Sequence, residues 1–141
     1  RAGWLGMTLH HTKAHMIRSL MEGVVFDLRH SVECFKKLKL PINEIYIGEG
    51  GSRSALWCQI QADVFGKDVQ VLEVQDVSAL GAAIIAGVGV GIFDDFESAC
   101  SMSVILGETV HSDPVRVGKY ELQYQRYCNL YPTLKNWFLE H

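Results

Sequence analysis

A short β-branched run, Ile45-Tyr46-Ile47, leads into Gly48-Glu49-Gly50-Gly51-Ser52-Arg53-Ser54 and from there directly into a helical pattern. No other stretch restricts the fold as much. Glycines at such a turn let bare backbone N–H groups approach a ligand closely. The helix start behind them carries unpaired donors and a partial positive charge. The helix covers residues 55–65, with Ser52 or Ser54 as its N-cap and Gly66 at its C′ position. Residues 69–72 form the next strand. Strand, helix and strand describe a right-handed parallel βαβ unit, with an anion or phosphate cradle at its first turn.

The remainder of the chain reads as mostly helical. Ala14, Ile17, Leu20, Met21, Val24, Val25, Leu28, Val32, Phe35 and Leu38 keep the three-four spacing of one amphipathic helix over residues 12–39. Thr12 is its N-cap, and Pro41 stops the pattern. Ser78 caps an apolar segment, 79–88, whose small residues and lack of a polar face predict a buried helix too short to span a bilayer. Gly89, Gly91, Asp94 and Asp95 mark turns, and Pro114 lies in a loop. Helical spacing resumes over 117–138 through Tyr120, Tyr124, Tyr127 and Tyr131, broken at Pro132. Two short strands do not make a self-sufficient sheet, so the chain reads as part of a larger domain. The missing initiator Met agrees, and Leu139-Glu140-His141 looks like the start of an affinity tag.

Charge and composition narrow what the cradle can hold. A net charge of −3 gives no electrostatic reason to expect nucleic acid or an anionic membrane as partner. Cys34, Cys58, Cys100 and Cys128 lack C-x-x-C spacing and sit in apolar stretches, so buried free thiols of a cytoplasmic protein are expected. Gly48-Glu49-Gly50 supplies the start of a dinucleotide fingerprint, and Glu73 stands near its acidic position. The third glycine of that fingerprint falls on Arg53, where helix and strand must pack tightly, so the fingerprint is broken. A P-loop fails because no Gly-Lys-Ser/Thr follows the turn.

His11 and His15 share a helix face, but Thr12 replaces the glutamate of a zinc motif. Imidazoles hydrogen-bonded near a helix start are the plainer reading. The tyrosine stripe is expected to be packing core, Trp57 a buried helix anchor, and Asp94-Asp95 a solvated turn. Asp63 and Asp76 are read as structural or capping carboxylates. No nucleophile or general base emerges from these patterns.

Several segments then match one family in order. Ala2-Gly3-Trp4-Leu5-Gly6-Met7 with His15-Met16-Ile17-Arg18-Ser19-Leu20-Met21-Glu22 resembles the second signature of the FGGY carbohydrate kinases. Thr12-Lys13-Ala14-His15 and Glu22-Gly23-Val24 look like the version found in that family's kinases of xylulose and related ketoses or aldonates. Gly50-Gly51-Ser52-Arg53-Ser54, then Leu56-Trp57, Gln59-Ile60 and Ala62-Asp63, is similar to the family's adenosine-binding motif. Ser78-Ala79-Leu80-Gly81-Ala82-Ala83 resembles the helix that follows it.

The resemblance implies an α/β fold, an incomplete RNase H-like domain of the actin/hexokinase-type ATPases, helix-rich with a short parallel βαβ unit, over residues 1–138; residues 139–141 are set aside as a tag remnant. It implies the ATP-binding C-terminal portion of a kinase for xylulose or a related sugar, inactive by itself. Gly50, Gly51 and Ser52 would line the adenine and α-phosphate side of ATP, with Arg53 and Ser54 beside them. Glu49 stands where the family more often has glycine, and Ser52 where it has alanine. Magnesium would be held mainly through the nucleotide and by residues outside this chain, as would the sugar and the catalytic base. ATP or ADP and the sugar are the implied partners, without nucleic acid or membrane, and a homodimer is compatible. A Rossmann-type oxidoreductase fragment is the alternative, followed by a non-enzymatic interaction module.

Overall fold

The computed structural model describes residues 3–74 and 76–140. Arg1 and Ala2, which open the expected domain, lie outside the described residues, as do Gln75 and His141. Helix α1 (Lys13–Lys37) starts behind Thr12, whose backbone N–H donates to His15 Nδ1 at 3.1 Å. Strand β1 (Tyr46–Ile47) runs into a 3-10 turn, Gly50–Arg53, and then α2 (Ala55–Phe65). Gly66 ends α2 at φ 63°, the left-handed conformation that a glycine adopts without steric cost. Strand β2 (Val69–Leu72) lies parallel to β1, with Tyr46 opposite Gln70 and Ile47 opposite Val71. The parallel βαβ unit is present.

Beyond it come α3 (Val77–Gly89), α4 (Phe96–Ser103), β3 (Leu106–Val110) and α5 (Pro114–Glu140). Strand β3 pairs antiparallel with β2, Val69 opposite Val110, and completes a three-stranded sheet in the order β1-β2-β3. Both α4 and β3 lie in the stretch between Asp95 and Pro114, where no helix or strand is expected from the sequence. Helix α4 is short and rich in serine, and it starts because Asp95 Oδ1 accepts the Ser98 N–H at 2.7 Å. That bond is the first cause holding the Asp95 carboxyl below its ordinary range. Strand β3 hides behind Gly107, Glu108 and Thr109. The glycine is needed because a Cβ there would stand 2.9 Å from Glu73 Cγ.

Proline misleads twice in the last helix. Pro114 is not in a loop but opens α5, where its missing N–H costs nothing. Asp113 Oδ1 caps that end, accepting from Val115 N at 2.8 Å and Arg116 N at 3.3 Å. Pro132 does not break the helix either; it removes one donor from a segment whose neighbours on both sides still bond in helical register. Leu139 and Glu140 continue the helix.

Helix α2 is the centre of the molecule. One face packs Ile60 and Val64 against Val25 and Phe26 of α1 and Tyr120 and Tyr124 of α5. The other packs Cys58 and Ala62 on Ile47, Val69 and Val71 of the sheet. Tyr120, Tyr124 and Tyr127 are thus packing residues, as their spacing suggests, whereas Tyr131 is exposed.

Three expectations about burial and capping are corrected. Of the four cysteines only Cys58 is buried; Cys34 and Cys100 are exposed and Cys128 is partly covered, because they lie on the outer faces of α1, α4 and α5. Helix α3 is not buried all round: only Ile84 and Gly87 are, and Ile85 is 64% exposed. Its small residues bring it close to the turn that follows, where a Cβ on Gly87 would stand 2.7 Å from the Phe93 ring. The N-cap of α3 is Asp76, not Ser78, with Asp76 Oδ1 accepting from Ala79 N at 2.8 Å. A carboxylate satisfies the first turn better than a hydroxyl because it also opposes the helix dipole.

Candidate functional site

The glycine turn sits where β1 hands over to α2. Its geometry is set by Glu49, whose φ of 66° and ψ of −166° place it in a region of backbone space held almost only by glycine. Neither Gly50 nor Gly51 has a positive φ. From Glu49 the chain tightens: Glu49 C=O accepts from Ser52 N at 3.1 Å and Ser52 Oγ at 2.7 Å, and Gly51 C=O accepts from Ser54 N at 3.1 Å. The amides of Gly50 and Gly51 stand ahead of the first N–H in this ladder, as at any helix start. Of the two candidate caps, Ser54 is the one α2 uses, its Oγ accepting from Trp57 N at 3.3 Å.

The two glycines do different work. A Cβ on Gly50 would meet nothing within 4 Å, so this position faces open space. A Cβ on Gly51 would stand 2.9 Å from Trp57 Nε1. Gly51 is therefore a close-approach glycine that lets the turn lie on the indole, while Gly50 leaves the outer side of the turn clear. Gly50, Gly51, Arg53 and Ser54 are exposed and Ser52 is half-buried. The Cys58 thiol donates to Ser52 C=O at 3.4 Å from below. All five residues expected to meet a nucleotide thus share one supported, outward-facing turn.

Two groups at this site escape a reading of the sequence. Glu49 Oε1 accepts from Val77 N at 3.1 Å and from Ser78 N and Ser78 Oγ, both at 3.3 Å, so its carboxylate sits on the start of α3. Gly48 lets that happen, since a Cβ on it would stand 2.4 Å from Val77 Cγ2. The bond partners lie nearly thirty positions away in the chain, and no local pattern announces them. Trp57 was legible as an anchor, but not as the floor of the turn.

The remaining candidates fall outside the site. Glu73 is exposed at the end of β2 and lies against Gly107 of β3, with its N–H bonded to Ile105 C=O at 2.9 Å. The antiparallel β3 removes the dinucleotide alternative, in which the strand that carries the acidic residue runs between parallel neighbours. His11 Nδ1 accepts from Thr8 N at 3.0 Å in the turn ahead of α1, so His11 does not share a helix face with His15, whose Nδ1 accepts from Thr12 N at the start of α1. Asp63 is 1% exposed and anchors α5, with Oδ2 2.6 Å from Arg116 Nε and Oδ1 accepting Asp113 N at 2.9 Å. The bond to Asp63 is what chiefly raises the Arg116 pKa. Among the described residues no group of three or more His, Cys, Asp or Glu is placed to hold a metal, and no helix is long and apolar enough to cross a membrane.

The chain is similar to known proteins along most of its length. Residues 1–90 match the FGGY family of carbohydrate kinases, C-terminal domain. The chain is 30% identical over 136 residues to the xylulose kinase of Bacillus subtilis, covering 96% of this chain and 27% of that protein. It is 33% identical over 135 residues to the probable L-xylulose kinase of Pasteurella multocida, again covering 96% of this chain and 27% of that protein. The crystal structure of xylulose kinase from Rhodospirillum rubrum matches with a TM-score of 0.81 at 32% identity, over 94% of this chain and 27% of that one. The chain spans about a quarter of the length of these relatives. It is a member of the FGGY family of carbohydrate kinases and corresponds to the family's C-terminal domain.

Proposed function

We propose that the whole protein transfers the γ-phosphoryl group of Mg-ATP to a hydroxyl of xylulose or a related sugar, and that residues 1–138 are its nucleotide-binding portion. The observation that carries this is the supported glycine turn, open at Gly50 and closed on Trp57 at Gly51. The amides of Gly50 and Gly51 would face the adenine and α-phosphate side of the nucleotide, with Ser52, Arg53 and Ser54 completing that wall. Arg53 adds a positive charge on an exposed position beside it. Magnesium would neutralise charge on the transferring phosphoryl group when bound, held mainly through the nucleotide and by residues outside this chain.

No catalytic residue is assigned here. Asp63 is bonded to Arg116 and Asp113, and Asp76 to the start of α3, so neither is free to take a proton from a sugar hydroxyl. The 141-residue chain alone is therefore expected to read background in a coupled ADP-release assay with xylulose. The exposed free thiols of Cys34 and Cys100 suit a cytoplasmic protein, and sedimentation of the whole protein checks the homodimer that goes with this reading.

The turn is tested by Gly51→Val in the whole protein. Forcing the turn off Trp57 should raise the KM for ATP about tenfold, on the order of 1–3 kcal/mol for lost amide contacts, and leave the KM for sugar nearly unchanged. Equal increases in both would mean that the turn serves folding alone.

A further inference from the structure

One residue grips the glycine turn and α3 at the same time. The backbone carbonyl of Glu49 closes the turn by accepting from Ser52 N and Ser52 Oγ. Its carboxylate holds the first amides of α3, Val77 N and Ser78 N, together with Ser78 Oγ. A carboxylate at a helix start is favoured by the unpaired N–H groups and by the helix dipole. The backbone there is unfavourable for any residue with a Cβ. Ordinary packing would select glycine at such a position. The glutamate that stands there instead satisfies three donors with its side chain. Gly48 against Val77 brings the two segments within reach.

We propose that Glu49 is a positioning residue for nucleotide binding, a strut that fixes the Gly50–Arg53 turn against the start of α3 so that the Gly50 and Gly51 amides are held ready for the nucleotide. This rests on the reading of residues 50–54 as the nucleotide turn. The glutamate touches no nucleotide in this role. With its carboxylate occupied by α3, its charge is spent on helix amides and not presented to phosphate. The helix start in turn is filled from within the protein, so the nucleotide is left to the Gly50 side of the turn.

The test uses the whole protein and three variants. Glu49→Ala keeps the backbone strain and removes the carboxylate; it should raise the KM for ATP about fivefold while kcat and the KM for sugar stay within about twofold. Glu49→Gln retains an acceptor oxygen for the same donors and should restore the KM for ATP to within about twofold of the parent. Hydrogen exchange at the Val77 and Ser78 amides should quicken about tenfold or more in the alanine variant and much less in the glutamine one. Glu49→Gly, whose backbone adopts this conformation freely, takes the place of the alanine variant if that protein does not fold. An unchanged KM for ATP in the alanine or glycine variant overturns the strut, and so does an equal rise in both KM values. If Gly51→Val raises the KM for ATP and Glu49→Ala does not, the strut alone fails. If neither moves it, the nucleotide turn fails too.

Discussion

Helices α2 and α3 make opposite use of apolar sequence. Helix α2 carries Gln59, Gln61 and Asp63 among its apolar residues, yet Cys58, Ile60, Gln61, Ala62, Asp63 and Val64 are all buried. Helix α3 has no charged residue at all, yet only Ile84 and Gly87 are buried among the described residues. The difference lies in neighbours. Helix α2 follows the first strand of a parallel pair, so the sheet covers one side and α1 and α5 the other. Helix α3 leaves the far end of β2 and packs mainly on α4. Hydrophobicity states what a helix demands of its surroundings; topology decides which demand is met. Asp63 and Gln59 are accommodated because both find partners in the β3–α5 junction, Gln59 Nε2 donating to His111 C=O at 3.0 Å, whereas the buried Gln61 Nε2 has no partner among the described residues.

The largest expected effect breaks this contrast directly. Ile60→Ala removes a side chain that is 1% exposed between α1, α2 and α5, and should cost roughly 3–4 kcal/mol of stability. Ile85→Ala removes a similar side chain from α3 and should cost under about 0.5 kcal/mol. Chemical denaturation of both variants checks this. Comparable losses would show that α3 is covered as fully as α2 in the whole protein.

A smaller effect sharpens what starts each helix. Asp76→Ala should cost about 1 kcal/mol, the ordinary worth of an N-cap, and Ser78→Ala a few tenths at most. The same denaturation curves discriminate the two, and a reversed order would return the cap to Ser78.

The smallest expected effect is a pH dependence of the β3–α5 junction. Asp68 is held below the ordinary carboxylate range first by its hydrogen bond with His111, and Asp113 first by the Val115 N–H. Carboxyls with depressed folded pKa values stabilise the fold above the unfolded value of about 4, and the contribution is lost as pH falls through the folded values. Amides of the β3–α5 junction should therefore lose protection as pH falls below about 4, before those at the centre of α2 do. Loss of protection on going from pH 4 to neutrality instead, about where these groups are fully ionised, would contradict the sign.

The sequence by itself determined what depends on neighbours along the chain. The three-four spacing over residues 13–37, the glycine stop at Gly66, the parallel strands around α2 and the exposed turn at 50–54 each rest on local periodicity or backbone freedom. So do the family's motifs, whose order along the chain agrees with the family match over residues 1–90. What only the tertiary structure decided depends on partners far apart. Strand β3 exists because β2 offers it an edge and Gly107 clears Glu73. The burial of α2 rather than α3 follows from where the sheet lies. Glu49 reads locally as a residue out of place in a glycine turn, and becomes intelligible once its carboxylate meets α3, because a hydrogen bond to a residue nearly thirty positions away leaves no periodic trace in the sequence.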